Sequence, residues 1–508
     1  MQEAMIRAYL DEPVASIDPR IYSGFIEHLG RGIYGGIYEP SHPTADAHGF
    51  RGDVVEALRS LNMPLVRYPG GNFVSSYVWE EGVGPREDRP VRLELAWRSL
   101  EPNLVGTNEF MDWVAAIDSQ PMLAVNLGTR GLDAACDLLE YCNHPGGTKW
   151  SDLRRSHGYE MPHNVPVWCL GNEMDGPWQI GQRPAGDYGI LAAECAKAMR
   201  LIDPTIELVA CGSSGPRMST FPDWEETVLD RAYNSVDYIS LHIYLRDEVG
   251  VQDLLVQSVE MDEQIKAVIA ACDLVKARKR SQKTMMLSLD EWNVWYHNRE
   301  TDKVLMRERP WQVAPPFGEE CYSAVDAVAV GSMLLTLLRH AGRVRMACIA
   351  QIVNVLAPLM TETGGPMWKQ TTWYPFAHAS AFGRGELIYS SHSGPVIDTP
   401  RYGPQPAIES IVTRDPETAT VTLFAINRSM EEAVPLALAM LGDDQLRLSE
   451  TYRLTADDPA EANTAADPER VVPRAIPDAT CADNRLTDNL PPMSWNVYRF
   501  VPVSAGAL

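Results

Sequence analysis

The chain has 508 residues, 45% hydrophobic and 22% charged, a balance that supports a sizeable folded core and excludes a disordered chain. Its formal net charge is −24, which repels phosphate backbones and anionic lipid, so neither nucleic acid nor a membrane is expected as a partner. Nine scattered cysteines, an odd number without a Cys-x-x-Cys pair, indicate neither a disulfide framework nor a zinc knuckle, and reduced thiols imply a cytoplasmic protein. No signal peptide is expected from the first residues. The longest mostly apolar run, 327–338, is too short for a bilayer span and reads as a buried helix.

In chain order, a strand-like piece at 6–10 comes first and is expected to join a sheet formed by the C-terminal part. Short apolar runs then alternate with amphipathic ones. The runs at 24–29, 64–68, 122–127, 167–171, 207–211, 238–243, 285–289 and 345–351 read as strands. Those at 52–61, 107–117, 131–141, 186–202, 224–233, 260–278, 322–340 and 374–383 read as helices. Eight strand–helix repeats imply a closed (β/α)8 TIM barrel, an α/β fold. The segment 294–317, rich in Trp, Arg and Pro, is long for a connection and reads as a lid or a subunit contact. Beyond residue 385 helical periodicity gives way to β-rich runs such as 419–426 and 495–501, punctuated by Pro and Asp, as in an all-β, jelly-roll-like antiparallel sandwich. The expected organisation is therefore residues 1–20 joining the C-terminal sheet, 21–385 as the barrel, and 386–508 as the β-domain.

Barrel enzymes build their sites at the carboxyl ends of the strands. Here those ends carry Glu27, Arg67 leading to Asn72, Asn172-Glu173, His242 and Tyr244, Glu291, and Gln351 with Asn354. Glu173 and Glu291 each close a compact apolar run. Two such carboxylates facing one pocket are the minimum equipment for cleaving a glycosidic bond, one as proton donor and one as nucleophile. The surrounding amides, carboxylates and phenol suit a neutral, hydroxyl-rich ligand, whose buried hydroxyls must both donate and accept. Trp97, Trp178, Trp292 and Trp295 are candidates to stack on a sugar face, or to pack. His242 reads as a hydrogen-bonded core residue or a base, and Arg67 as an ion-pair partner at the barrel mouth or floor. The Gly70-Gly71 pair is expected to serve a turn with positive φ. No His, Asp or Glu cluster shows a metal spacing, so neither a metal nor another cofactor is expected.

Four motifs carry a family resemblance: Gly24-Phe-Ile-Glu27-His-Leu-Gly-Arg, Arg67-Tyr-Pro-Gly-Gly-Asn72-Phe, Gly171-Asn-Glu173-Met-Asp-Gly-Pro-Trp178, and Asp290-Glu291-Trp-Asn-Val-Trp295-Tyr. In this order they resemble the α-L-arabinofuranosidases of glycoside hydrolase family 51. The similarity extends to the closing Pro491-Pro-Met-Ser-Trp-Asn-Val-Tyr-Arg-Phe strand and so covers nearly the whole chain. The resemblance implies a retaining, exo-acting, intracellular enzyme with Glu173 as acid/base and Glu291 as nucleophile. It further implies that Glu27, Asn72, Asn172, Tyr244 and Gln351 hydrogen-bond the arabinofuranose, that Trp295 recognises substrate, and that Trp178 walls the leaving-group side. Arg67 and His242 would support them. The implied partner is an arabinose-containing oligosaccharide, and the implied assembly is a homohexamer. One departure stands out. Where the family has Glu-x-Asn-x-Phe-Gly, this chain reads Glu101-Pro-Asn103-Leu104-Val105-Gly106, which puts linkage or polymer preference in doubt. A β-xylosidase or endo-β-glucanase on the same barrel, a non-catalytic sugar-binding barrel and a metal-dependent isomerase are the alternatives.

Overall fold

The computed structural model describes residues 2–503. Eight parallel strands close a barrel: Ser23–Phe25, Leu65–Tyr68, Gln120–Ala124, Val167–Leu170, Glu207–Ala210, Tyr238–Leu245, Met286–Val294 and Val344–Ala350. Pairing of Cys348 with Ser23 and of Ala350 with Phe25 closes the ring. Side chains alternate across each strand. In the fourth, Val167 and Cys169 join an interior cluster with Leu65, Met122, Val209, Tyr238 and Met346, while Trp168 and Leu170 join the helix layer outside. The lower interior is thus filled by packed side chains, and the strand ends are left to carry a site.

All eight expected helices form. Among them Ala324–Arg339, which contains the long apolar run, is buried from Ala324 through Leu338. It lies between the barrel and the C-terminal sheet, with Phe424, Ile426 and Trp495 of that sheet in the same apolar cluster. Gly331 makes this approach possible, because a Cβ there would stand 2.7 Å from the Trp495 ring. No helix among the described residues is long and apolar enough to cross a membrane, and all nine cysteines are free.

Val396–Thr399 pairs with Gly403–Pro406 as a separate hairpin, while eight other C-terminal strands form one continuously hydrogen-bonded sheet of nine with the N-terminal strand Ala4–Ile17. That strand pairs antiparallel with Gly385–Ser393 and parallel with Val434–Leu441, the one parallel pairing in an otherwise antiparallel sheet. Alternate residues Ala4, Ile6, Ala8 and Leu10 share a second apolar cluster with Leu423 and Phe500 from strands on one flank of the N-terminal strand and Leu438 from the other.

Two insertions rise at the barrel mouth. A hairpin of Arg92–Glu94 and Ser99–Glu101 follows the second strand, and the segment 294–317 contains the helix Arg299–Glu308. The backbone N–H of Leu100 donates to Gln312 at 2.9 Å and that of Trp311 to Arg98 at 2.6 Å, so the two insertions are tied together.

Candidate active site

Glu291 reaches the pocket because the seventh strand is bulged. Against the sixth strand, Ser288 pairs with Ser240 but Glu291 pairs with His242; against the eighth, Leu289 pairs with Ala347 but Trp292 with Ile349. One extra residue therefore sits between Ser288 and Trp292. Strict alternation would send Glu291 outward once Ser288 and Asp290 face the interior, and the bulge turns it back in. Glu173 is placed differently. The fourth strand ends in Gly171 at φ +94°, and Glu173 itself has φ +43°, a left-handed conformation uncommon for a non-glycine residue and typical of functional turns.

The two carboxylates meet. One oxygen of Glu173, one of Glu291 and a ring nitrogen of His242 all lie within 4.8 Å of one another. His242 Nδ1 is 3.0 Å from Glu173 Oε1 and 3.6 Å from Glu291 Oε2. The Trp178 indole donates to Glu173 Oε2 at 2.6 Å. Arg67 spans the pocket: Nη1 donates to Glu291 Oε1 at 2.8 Å and Nη2 to Asn172 Oδ1 at 2.7 Å. The Tyr244 hydroxyl donates to Glu291 Oε2 at 2.7 Å.

These contacts separate the two acids. Burial lifts the Glu173 carboxyl above its usual range and the charge of Glu291 adds to this, outweighing the bonds from His242 and Trp178. Burial acts on Glu291 in the same direction but is overcome by the positive charges of His242 and Arg67 and by the Tyr244 and Arg67 bonds, which hold that carboxyl below its usual range. The His242 imidazole, disfavoured as a cation by burial, is drawn up by the two carboxylates. Burial and Glu291 keep the Tyr244 phenol protonated. One acid that retains its proton beside one that has lost it is the division of labour that acid and nucleophile require.

Glu27 forms a second wall. Its Oε1 accepts from the Phe73 N–H at 2.9 Å and from the Trp97 indole at 3.0 Å, and its backbone N–H donates to Gln351 Oε1 at 2.9 Å. Gln351 Nε2 faces Glu27 Oε2 at 3.5 Å. Burial first, then the charge of Glu291, push the Glu27 carboxyl up to about 8, so near neutrality it carries a proton to offer a sugar hydroxyl. The expected positive φ at Gly70 and Gly71 is not found. Glycine is needed at 71 because a Cβ would run into the Glu27 carboxylate.

The sequence-predicted residues converge, with exceptions. Asn72 joins through Asn172, whose Nδ2 lies 3.4 Å from Asn72 Oδ1 and 3.4 Å from Gln179 Oε1. Trp295 packs edge-on against Tyr244 with ring centroids 5.5 Å apart, under the Arg299 guanidinium. Trp178 is half-exposed at the rim. Trp292, named as a stacking candidate, is fully buried and lies against Phe376 in the helix layer, because the bulge that turns Glu291 inward turns its neighbour outward. Leu104 is exposed and Val105 fully buried. Neighbouring Glu101 holds His28 Nδ1 at 2.8 Å, and the His28 ring stacks on Phe73, so this segment braces the Glu27 wall from behind. Sequence reasoning missed Asp290 as a site neighbour, Gln179, and the bond from Trp97 to Glu27. It also missed that Glu173, His242 and Glu291 form a set with metal-ligand character. The donors of that set are already engaged by Trp178, Tyr244 and Arg67, and the guanidinium opposes a further cation.

Comparison with known proteins adds the chemistry. Models of the α-L-arabinofuranosidase 1 domain and the α-L-arabinofuranosidase C-terminal domain match residues 57–264 and 290–494. The intracellular exo-α-(1→5)-L-arabinofuranosidase of Halalkalibacterium halodurans is 53% identical over 96% of both chains. The exo-α-(1→6)-L-arabinofuranosidase of Bifidobacterium longum is 46% identical over 97% of both. A solved family 51 α-L-arabinofuranosidase from Bifidobacterium longum superposes with a TM-score of 0.94 at 45% identity, covering 98% of this chain and 100% of that one. The chain belongs to this family. As a family 51 α-L-arabinofuranosidase it is a glycoside hydrolase, and the xylosidase and glucanase alternatives are not favoured.

Proposed function

We propose that the protein releases non-reducing terminal α-L-arabinofuranosyl units from arabino-oligosaccharides, or from arabinan or arabinoxylan fragments, with retention of anomeric configuration. The observation that carries this reading is the approach of the Glu173 and Glu291 oxygens to within 4.8 Å. Retaining glycosidases place their carboxyl groups about 5–5.5 Å apart, whereas inverting ones leave about 6.5–9.5 Å for an intervening water. In the first step a Glu291 oxygen bonds to the anomeric carbon. The bond to the leaving oxygen breaks, and the proton of Glu173 goes to that oxygen. In the second step Glu173, now a carboxylate, takes a proton from water as its oxygen attacks the same carbon, and Glu291 departs as a carboxylate. Asn172 Nδ2, held only by two long contacts, is free to meet the sugar 2-hydroxyl. Glu27 and Gln351 bind the other hydroxyls, Asn72 completes the polar wall, Trp295 lines the furanose side, and Trp178 the leaving-group side.

Chromogenic glycosides test the reading. Rapid release from an aryl α-L-arabinofuranoside is expected, with little from the β-xyloside or from cellulose; the reverse order contradicts it. The relatives carry both (1→5) and (1→6) in their names, so linkage preference is read by arabino-oligosaccharide digestion. The word intracellular in a relative's name and the free cysteines support a cytoplasmic location, and the resemblance supports a homohexamer, measurable by sedimentation.

Tyr244→Phe removes one donor from ionised Glu291. Its pKa should rise, and since activity falls as pH drops through that pKa, the acid limb of kcat/KM should move to higher pH. At the optimum kcat should fall about 10–100-fold, in line with loss of a hydrogen bond to a charged group. An unmoved limb would mean that this phenol does not govern the nucleophile.

A further inference from the structure

Asp290 precedes Glu291, is 2% exposed, and takes no part in the steps above. Its Oδ1 accepts from the Ser288 hydroxyl, and Cys169 Sγ donates to Oδ2 at 3.6 Å. Arg67 Nε lies 3.9 Å from the same Oδ2. The carboxyl therefore sits inside the barrel near Nε of the guanidinium whose two Nη groups hold Glu291 and Asn172. Burial raises the Asp290 carboxyl above its usual range, and the nearby Arg67 and His242 charges and the Ser288 bond offset only part of that rise. Packing against Ser288 and Cys169 needs no carboxylate, since an asparagine has the same shape. A carboxylate adds one thing that an asparagine lacks: in its ionised form, a negative charge facing Arg67 Nε at 3.9 Å.

That charge matters at one point in the reaction. When Glu291 becomes an ester its carboxylate electron pair has gone into the bond to the sugar, and Arg67 loses the counter-ion it holds at 2.8 Å. The new carboxylate, Glu173, has His242 and Trp178 as its own partners. The fixed charge left beside the guanidinium is Asp290. If Arg67 drifts while the ester exists, it is no longer in place to receive the returning Glu291 carboxylate, which makes that carboxylate a poorer leaving group. Formation of the ester is less exposed to this effect, because ionised Glu291 holds Arg67 itself.

We infer that Asp290 is a positioning residue, the standing counter-ion that keeps Arg67 on Glu291 and Asn172 through the covalent intermediate, and that it supports hydrolysis of the intermediate more than its formation. The inference rests on Glu291 being the nucleophile. The test is Asp290→Asn, assayed with an aryl α-L-arabinofuranoside whose leaving group needs no protonation, so that hydrolysis of the ester limits kcat. Expected is a fall in kcat of about 10–100-fold with a much smaller fall in kcat/KM, hence a lower KM. Mass analysis of acid-quenched enzyme should show a larger pentosylated fraction than in the wild type. Parallel falls in kcat and kcat/KM, or no extra accumulation, overturn it. Ser288→Ala, which removes the donor that favours charged Asp290, should move the same way by less. It decides the matter if the asparagine chain does not fold, and wild-type partitioning there also overturns the inference. A wild-type enzyme that never carries sugar on Glu291 defeats the double-displacement reading itself, and this inference with it.

Discussion

Glu291→Gly is expected to lower kcat by roughly four to six orders of magnitude, the scale seen when a covalent nucleophile is deleted. The fold should survive, because Glu291 stands at the open end of the barrel, above the packed interior layer of Val167, Cys169 and Met346. The variant leaves a space on the face of the sugar that the nucleophile used, bordered by Arg67 and Tyr244, which both donate hydrogen bonds and can hold a small anion. Azide at high concentration should therefore restore turnover and give an arabinosyl azide of inverted configuration. The assignment fails if the variant keeps wild-type rate, or if azide yields the retained product.

Glu173→Ala should behave in a way that depends on the leaving group. With a substrate whose leaving oxygen needs a proton, both steps slow, and kcat/KM should fall by about 10²–10⁴-fold, the usual contribution of a positioned acid or base. With a strongly activated aryl leaving group the first step needs no proton, so kcat/KM should stay near the wild-type value. The second step still lacks its base, and kcat falls while the intermediate accumulates. Azide here should restore kcat and give the retained azide, the opposite anomer to that from Glu291→Gly. The pH profile supplies an independent check. Glu173 must be protonated and its pKa is raised, so the alkaline limb reports it, and this limb should vanish from the activated-substrate kcat/KM in the alanine variant. Equal losses across leaving groups would remove Glu173 from the role of acid.

Most of the barrel was legible because its signals are local. Apolar runs such as Val167–Leu170 end at a glycine or a polar residue, and amphipathic stretches such as Asp223–Ala232 follow them at helical spacing. Convergence of Glu27, Arg67, Glu173, His242, Tyr244 and Glu291 was legible from the rule that strand ends share one face. What escaped is non-local. Register against two neighbouring strands creates the bulge at 288–292, and no property of Ser288-Leu-Asp-Glu291-Trp292 read alone reveals it. That omission accounts for the neglect of Asp290, which strict alternation from an inward Glu291 turns outward; of the two readings open for Trp292, stacking or packing, the structure shows packing. Gly71 was read as a φ requirement when it answers to the close approach of Glu27, a residue distant in the chain. The helix Arg299–Glu308 lay hidden in a segment whose Trp and Pro residues look like loop, although its own residues, polar apart from Val304, Leu305 and Met306, fit a helix that exposes most of its surface.

A direct measurement of the central claim is the identity of the residue that carries sugar during turnover. Glu173→Ala should be mixed with an activated aryl α-L-arabinofuranoside, quenched in acid while the intermediate persists, digested and mapped by mass spectrometry. One pentosyl unit localised to Glu291 itself by fragmentation of its peptide, lost again when azide is added before the quench, is the predicted result. An enzyme free of sugar throughout turnover, or a modification mapped to Glu27 or Asp290 instead, would contradict it.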